Sequence, residues 1–531
     1  VPGRKYRDKD AEPMSAAGAY VATPQKGIHD WIGSIDINSL YPSVIRALNM
    51  GPETIIGQIR PVITSAEINR AKHAKKSFAA SWDGQFGSWE YQAVMNQEKG
   101  TEVVVDWEDE TSVRMSAAQL YELVFDGNNK WMLSANGTLF TYEYEAIIPG
   151  LLKRWYEERQ EMQRKMRDCG DNEIEREYWD KRQLVKKINL NSLYGAILNP
   201  GCRFFDMRIG QSVTLSGRCI TKHMASKVNE IVAGKYDHKG QSVVYGDTDS
   251  VYFSAYKVLE KEIKDGLIPW TKDSVVGLYD KISDEVNTSF KAFMTKAFHT
   301  PATRGEVIAA GRELVASKGL FITKKRYALL YYDKEGKRTD VDGKEGKMKA
   351  MGLDLKRSDT PVFVQDFLSE ILYMVLSGNE EKKVLDRISE FRAEFKAMPG
   401  WEKGSPKRAN NMTKYQAAEV AKGRANMPGH VRASMNWNRC RDMYGDKYSM
   451  PILDGAKVIV CKLKNNPMGY TSIAYPVDEL RIPEWFKELP FDGDAMETGV
   501  LDQKLDNLIG VLDWDVQSTE TSNTFNKLFE F

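Results

Sequence analysis

The chain has 531 residues, 42% hydrophobic and 28% charged, enough for several buried cores and unlike a disordered or low-complexity polypeptide. Its 75 Lys and Arg stand against 74 Asp and Glu, so the formal net charge of +1 gives no global sign of a polyanionic partner, and a claim about nucleic acid must rest on local sites. Five scattered cysteines and six histidines with no C-x-x-C pair argue against structural zinc and for a reducing, intracellular compartment, and no apolar run approaches the roughly 18 residues of a membrane span.

Residues 1–30, rich in Gly, Ala, Pro and charge, read as a linker. Val1-Pro2-Gly3 resembles neither a signal peptide nor an initiator Met end, so the chain is expected to begin partway through a longer parent or to have been processed. Residues 31–37 then read as a short buried strand, with Asp36 at its end before a turn and a helical pattern over residues 44–49. A carboxylate buried there without a partner costs several kcal/mol, so Asp36 either caps the turn or meets a cation. Strand-like runs at residues 103–107, 120–125 and 139–144 suggest an insertion on the same sheet, and no chemistry is legible between residues 51 and 146.

From Ile147 the pattern changes to two long helices. The first carries Leu151, Leu152, Trp155, Tyr156, Met162 and Met166, and ends at Asp168-Cys169-Gly170, where Gly suits the position after the cap. The second starts at Asp171-Asn172, with Glu175 spaced as in a capping box, and runs to about Tyr194. On it Lys187, Asn191 and Tyr194 share one face, and in an antiparallel hairpin Arg159 of the first helix joins Lys187. An Arg fork and a Lys point charge facing one cleft suit a triphosphate; the alternative is an ordinary solvated basic face.

The apolar runs around Tyr245-Gly246-Asp247-Thr248-Asp249-Ser250 predict a β-hairpin with carboxylates at its tip. In extended chain Asp247 and Asp249 share a face, and two carboxylates about 4 Å apart repel by roughly 4 kcal/mol at an effective dielectric of 20. An all-oxygen cluster of this kind calls for a hard divalent cation, whereas a solvent-exposed Asp-rich turn needs none. Further on, Thr360 as N-cap and Pro361 at the first helical position open a helix whose stripe of Phe363, Val364, Phe367, Leu368, Ile371, Leu372 and Val375 ends at Gly378 and is packing only.

Taken in order, Asp36-x-x-Ser39-Leu40-Tyr41-Pro42-Ser43, Lys187-x-x-x-Asn191-Ser192-Leu193-Tyr194-Gly195 and Tyr245-Gly246-Asp247-Thr248-Asp249-Ser250 resemble motifs A, B and C of the family B DNA polymerases. Lys324-Lys325-Arg326-Tyr327-Ala328 resembles that family's Lys-Lys-Arg-Tyr element, and Pro451-Ile452-Leu453-Asp454-Gly455 adds likeness to the branch found in T-even-type bacteriophages. The resemblance covers essentially the whole chain, and four motifs in one order are far more specific than any one of them.

The resemblance implies an α+β, right-hand architecture: residues 31–145 and 200–350 as an antiparallel-sheet palm, 146–199 as helical fingers, and 351–531 as a mainly helical thumb. It implies a DNA-directed DNA polymerase that adds dNTPs to a primer 3′ end by two-metal phosphoryl transfer in viral DNA replication, in the cytoplasm of an infected host cell. Asp36 and Asp249 would bridge two Mg²⁺, with Mn²⁺ able to substitute, the Ile37 carbonyl as an extra ligand and Asp247 beside them. Ser39, Leu40, Tyr41, Arg159, Lys187, Asn191 and Tyr194 would bind the nucleotide, with Lys187 also protonating pyrophosphate. Gly195, Lys324, Lys325, Arg326 and Tyr327 would contact primer-template DNA, with Glu313 behind the metal site. The family's second cation on the first fingers helix is replaced here by Gln163, with Arg164 and Lys165 just beyond it. The short stretch before Trp31 implies no proofreading exonuclease in this chain and points to a separate exonuclease chain. The apolar tail over residues 525–531, from Phe525 to Phe531, implies docking on a sliding clamp. A catalytically inactive, polymerase-derived DNA-binding subunit is the alternative, disfavoured because Asp36, Asp249, Arg159, Lys187 and Asn191 are all present. A reverse transcriptase would leave the runs after Asp36 and Lys187 unexplained.

Overall fold

A β-prone apolar run buried on both faces makes a central strand, and Gly27–Ile37 (β1) is one: Ile32, Ile35 and Ile37 are fully buried, while Asp36 keeps partial exposure. The strand starts earlier than residue 31 because the stretch before it is tied down. Of the residues read from composition as linker, those from Ala17 to Ala22 pack beside the carboxylate hairpin: Ala22 N–H donates to the Gly246 carbonyl at 2.8 Å, and Ala17 and Tyr20 are buried. The computed structural model describes residues 17–76, 85–420 and 427–519. The clamp-binding expectation for residues 525–531 falls outside them. The contacts separate two compact units, Val1–Pro24 with Trp31–Val315 and Asp333–Lys337, and Gln25–Asp30 with Ala316–Tyr332 and Arg338–Phe531.

In the first unit β1 is followed by the helix Leu40–Ala47 (α1) and then by a sheet of its own. Strands Ile55–Ile59 (β2), Glu102–Trp107 (β3), Ser112–Ser116 (β4), Trp131–Leu133 (β5) and Thr138–Thr141 (β6) pair antiparallel in the order β4-β3-β2-β6-β5. The insertion expected on the central sheet is therefore separate from it. Residues 120–125, expected as strand, are helical, because Ser116 and Gln119 close a capping box that starts a helix just before them.

Two long helices follow, Ile147–Asp168 (α2) and Glu173–Ile197 (α3), with the chain reversing at Gly170 in the left-handed region. Asn172 caps α3 as expected, its Oδ1 accepting from Glu175 N–H at 3.2 Å. The helix runs past Tyr194 to Ile197.

The helix Met207–Ala233 (α4) is buried along most of its length although much of it is small or polar. Its hydroxyls find partners across the fold: Ser212 Oγ lies 2.9 Å from Ser134 Oγ, and Ser216 Oγ accepts from Ala135 N–H at 3.1 Å. Beyond it come the hairpin strands Val243–Asp247 (β7) and Ser250–Phe253 (β8), the helix Lys272–Phe298 (α5), and the strand Ala310–Thr323 (β9), which puts β9, β1, β8 and β7 in that order in the central sheet. Gly33 lets α5 approach β1: a Cβ there would lie 2.5 Å from the Tyr279 ring, whose hydroxyl donates to the Trp31 carbonyl at 2.6 Å.

The second unit contains Arg326–Lys334 (β10) from its start to Tyr332, with Lys347–Met351 (β12) antiparallel to it; the short Lys337–Arg338 (β11) falls at the boundary, with only Arg338 in this unit. Helices Val362–Leu376 (α6) and Glu381–Ala397 (α7) bury the expected stripe in one core. Thr360 is not the cap of α6. Its hydroxyl accepts from Lys504 Nζ at 2.9 Å, and Pro361 takes the cap position. A second core forms where Ser405–Arg408 (β13), Lys457–Lys462 (β14) and Ser472–Pro476 (β15) pack with the helix Gly429–Met443 (α8) around Trp437 and Phe486. The helix Gln503–Ile509 (α9) returns Leu505 and Leu508 to the first of these cores.

Candidate functional site

The hairpin turns in two residues, Thr248 and Asp249, between Asp247 and its partner Ser250. Asp249 therefore stands in the turn rather than on a strand, and Thr248 supplies the left-handed residue at φ 58°. Strand β1 pairs antiparallel with β8 so that Asp36 lies opposite Ser250, and Ile37 N–H donates to the Asp249 carbonyl at 2.8 Å. Backbone register alone thus sets Asp36 beside Asp249, more than two hundred residues away in sequence. Asp247 accepts from the Tyr245 hydroxyl at 3.2 Å and the Thr248 hydroxyl at 2.9 Å. Glu313 on β9 accepts from Ser34 Oγ at 3.3 Å, and Ser34 is two residues from Asp36 on the same face of β1.

Tyr41, in the first turn of α1, connects this cluster to α3. Its ring sits 4.5 Å from the Tyr194 ring, and a Cβ on Gly217 of α4 would lie 3.4 Å from it. Burial, followed by the Asp249 carboxylate, pushes the Tyr41 phenol up to about 12; Arg218 acts in the opposite sense and Asp247 adds to the rise. Burial, with Tyr41 as neighbour, raises Tyr194 as well. Residues from all three motifs meet here: Asp36 and Tyr41, Tyr194, Asp247 and Asp249. Ser39, before α1, is left-handed at φ 50°.

Arg159 of α2 donates through Nε to Gln183 of α3 at 3.2 Å, one turn before Lys187, as an antiparallel hairpin requires. Burial lowers the Arg159 pKa. Lys187 and Asn191 are exposed on α3, with Lys187 about 10 Å along the helix axis from Tyr194. Beyond Gln163, Arg164 and Lys165 both pair with Glu161, at 2.5 and 3.8 Å, and Lys165 also lies over the Trp179 ring. Gly195 is exposed and a Cβ there would meet nothing, so packing does not demand a glycine.

In the second unit Lys324 and Lys325 form the exposed turn between β9 and β10, with Lys325 at φ 62°. Arg326 Nη2 lies 3.3 Å from Asp354 Oδ2, and the Tyr327 ring is buried, 5.6 Å from Phe321. Sequence reasoning missed Thr221 on α4 and the backbone of Tyr20, which hold the hairpin tip, and Arg218 on α4, which holds the segment beside it. Their contacts run largely to backbone carbonyls, which leave no signature in the partner's sequence.

A model of DNA polymerase family B matches residues 2–266 and 303–417. The chain belongs to DNA polymerase family B. Over 480 residues it is 28% identical to the DNA-directed DNA polymerases of Escherichia phage RB69 and Enterobacteria phage T4, covering 86% and 87% of this chain and 51% of each relative. A DNA polymerase of Pyrococcus glycovorans is 24% identical over 399 residues, 75% of this chain and 37% of that protein. The family B chain thus spans about half the length of the phage relatives it matches. Among its described residues no helix is long and apolar enough to cross a membrane. Nor, among them, do three or more His, Cys, Asp or Glu gather to hold a metal ion.

Proposed function

We propose that this chain is the template-directed nucleotidyl-transfer portion of a DNA-directed DNA polymerase, acting on primer-template DNA and dNTPs in viral replication. The observation that carries the reading is the register that sets Asp36 opposite Ser250, with Ile37 bonded to Asp249. The donors suit hard cations: all are oxygens, and adjacent carboxylates repel unless a positive charge intervenes. Asp36 and Asp249 would hold two Mg²⁺, or Mn²⁺, with the Ile37 carbonyl and Asp247 alongside and Glu313 supporting from β9. Bound there, the ions supply Lewis acidity to the primer hydroxyl and charge neutralisation to the triphosphate.

The protein's own groups position the substrate. Tyr41 and Tyr194 form the floor under the sugar and base, and the N–H groups of Ser39 and Leu40 face phosphate oxygens. Arg159 and Lys187 clamp the outer phosphates, Asn191 lies on the same helical face, and Lys187 gives a proton to the departing pyrophosphate. Gly195, Lys324, Lys325, Arg326 and Tyr327 belong to the DNA track, where contacts are independent of sequence and weaken with salt. A palm, fingers and thumb division follows the boundaries set out above. A sliding clamp is the further partner of this reading.

Primer extension by the purified chain, with DNA and RNA templates in parallel and with or without Mg²⁺, tests it. Extension on DNA should require the metal and stop with EDTA. Asp36→Ala and Asp249→Ala should each lose several orders of magnitude in turnover while primer-template affinity changes little. Substantial Mg²⁺-dependent extension by Asp249→Ala would remove the site assignment.

A further inference from the structure

Thr248, at the hairpin tip, adopts a left-handed backbone that costs a non-glycine residue on the order of 1–3 kcal/mol and persists only where its surroundings hold it. Those surroundings come from outside the hairpin. Thr248 N–H donates to the Tyr20 carbonyl at 2.8 Å, and the Thr248 carbonyl accepts from the Thr221 hydroxyl at 2.6 Å. Thr221 lies fully buried on α4. One residue on, the Asp249 carbonyl is held by Ile37 N–H. The Tyr20 carbonyl is itself fixed in place from α4: Arg218, 7% exposed, donates through Nε to the Gly18 carbonyl at 2.8 Å and through Nη2 to the Ala19 carbonyl at 3.5 Å, while Nη1 reaches the Gln85 carbonyl. A planar fork suits this task, because it can hold several carbonyls in one fixed geometry where an ammonium would hold fewer. Both sides of the tip therefore trace back to one turn of α4, since Arg218 and Thr221 are three residues apart.

We propose that Arg218 and Thr221 are positioning residues for Asp249. Arg218 orders the segment from Gly18 to Tyr20, that segment and the Thr221 hydroxyl clamp the two backbone groups of Thr248, and the clamp sets where the Asp249 carboxylate stands relative to Asp36. The kinetic consequence rests on the polymerase reading; the clamp does not.

Three full-length variants separate the two. Thr221→Val removes the hydroxyl at nearly constant volume, Thr221→Ser keeps it, and Arg218→Lys keeps the charge but loses the fork. In amide hydrogen exchange the peptide carrying residues 246–250 should open about tenfold faster in T221V and R218K than in the wild type or T221S, with α5 and the five-stranded sheet protected as before. In single-turnover primer extension with Mg²⁺, T221V and R218K should lose about tenfold in rate at saturating dNTP, with primer-template affinity unchanged and T221S close to wild type. Unchanged exchange at the tip in T221V and R218K overturns the clamp. Faster exchange with an undiminished rate overturns its role in positioning Asp249, and an equal loss in T221S shows that the hydroxyl is not the agent. A wild-type chain that fails to extend primers at all overturns the polymerase reading instead, and the exchange result still decides the clamp.

Discussion

The Tyr41 ring packs 4.5 Å from the Tyr194 ring and close to Gly217 of α4, contacts that limit how far it can move from a substrate. In the proposed reading it lies beneath the deoxyribose, where a 2′-hydroxyl would collide with a fixed ring. Steric exclusion by an immobile group discriminates by several kcal/mol, more than a polar contact in a wet site can. Tyr41→Ala should raise the efficiency of ribonucleotide insertion by roughly 10² or more, each factor of ten being about 1.4 kcal/mol, while deoxynucleotide insertion falls much less. Single-turnover kinetics on the two sugars check this, and equal slowing of both makes Tyr41 a packing residue. The motif residues at this site were legible because each motif carries unusual side chains at fixed spacing. Arg218 and Thr221 were not, because a backbone acceptor such as the Thr248 carbonyl is the same whatever its residue.

Elements are legible in the sequence where a local device sets the structure and less so where burial does. Asn172 and Gly170 mark the helical hairpin because caps and left-handed glycines act within a few residues. The run over residues 120–125 looks like a strand by composition, yet the capping box at Ser116 had already committed the chain to helix. Helix α4 mixes buried apolar residues such as Ile209, Val213, Ile220 and Met224 with buried hydroxyls, and two of these, Ser212 and Ser216, find partners distant in sequence. The packing of α5 on β1 turns on Gly33: Gly33→Ala would drive a methyl into the Tyr279 ring and within 2.9 Å of Phe253, and should cost about 1–3 kcal/mol in urea denaturation. Acid should loosen α4 from α5 through His223. Its ring nitrogens lie 2.8 Å from the Tyr236 hydroxyl and 2.9 Å from the Ser289 hydroxyl, and its face stacks on Phe293. Burial first, then Lys227, lowers it to about 4, while Glu230 opposes. The unfolded chain takes up this proton near the ordinary 6.5, so between 6.5 and about 4 it binds more protons than the folded one. Stability from this group is complete above pH 6.5 and is lost as pH falls toward 4, which should appear as a falling Tm with a shallower slope in His223→Gln.

For the whole molecule, the two units carry separate cores, and the second is tied together by an ionic cluster rather than by apolar packing alone. Arg392 of α7, with its side chain 1% exposed, holds Glu497 at 2.9 Å and Asp502 at 2.6 Å, and its Nε donates to the Thr519 hydroxyl at 2.9 Å. It thereby fastens the last described stretch of chain to the helix that builds the unit's first core. Removing one partner of a buried ion pair leaves the other desolvated and uncompensated, a loss of about 3–5 kcal/mol, whereas replacing both by apolar groups is often close to neutral. Arg392→Leu should therefore lower the stability of the second unit by that amount, and Arg392→Leu combined with Glu497→Leu should recover part of it. The first unit should not follow: hydrogen exchange at α4 and at the hairpin of Asp247 and Asp249 should match the wild type while protection of α6 and α7 falls. If protection falls together in both units, the chain unfolds as one cooperative body and the buried ion pair of Arg392 stabilises all of it.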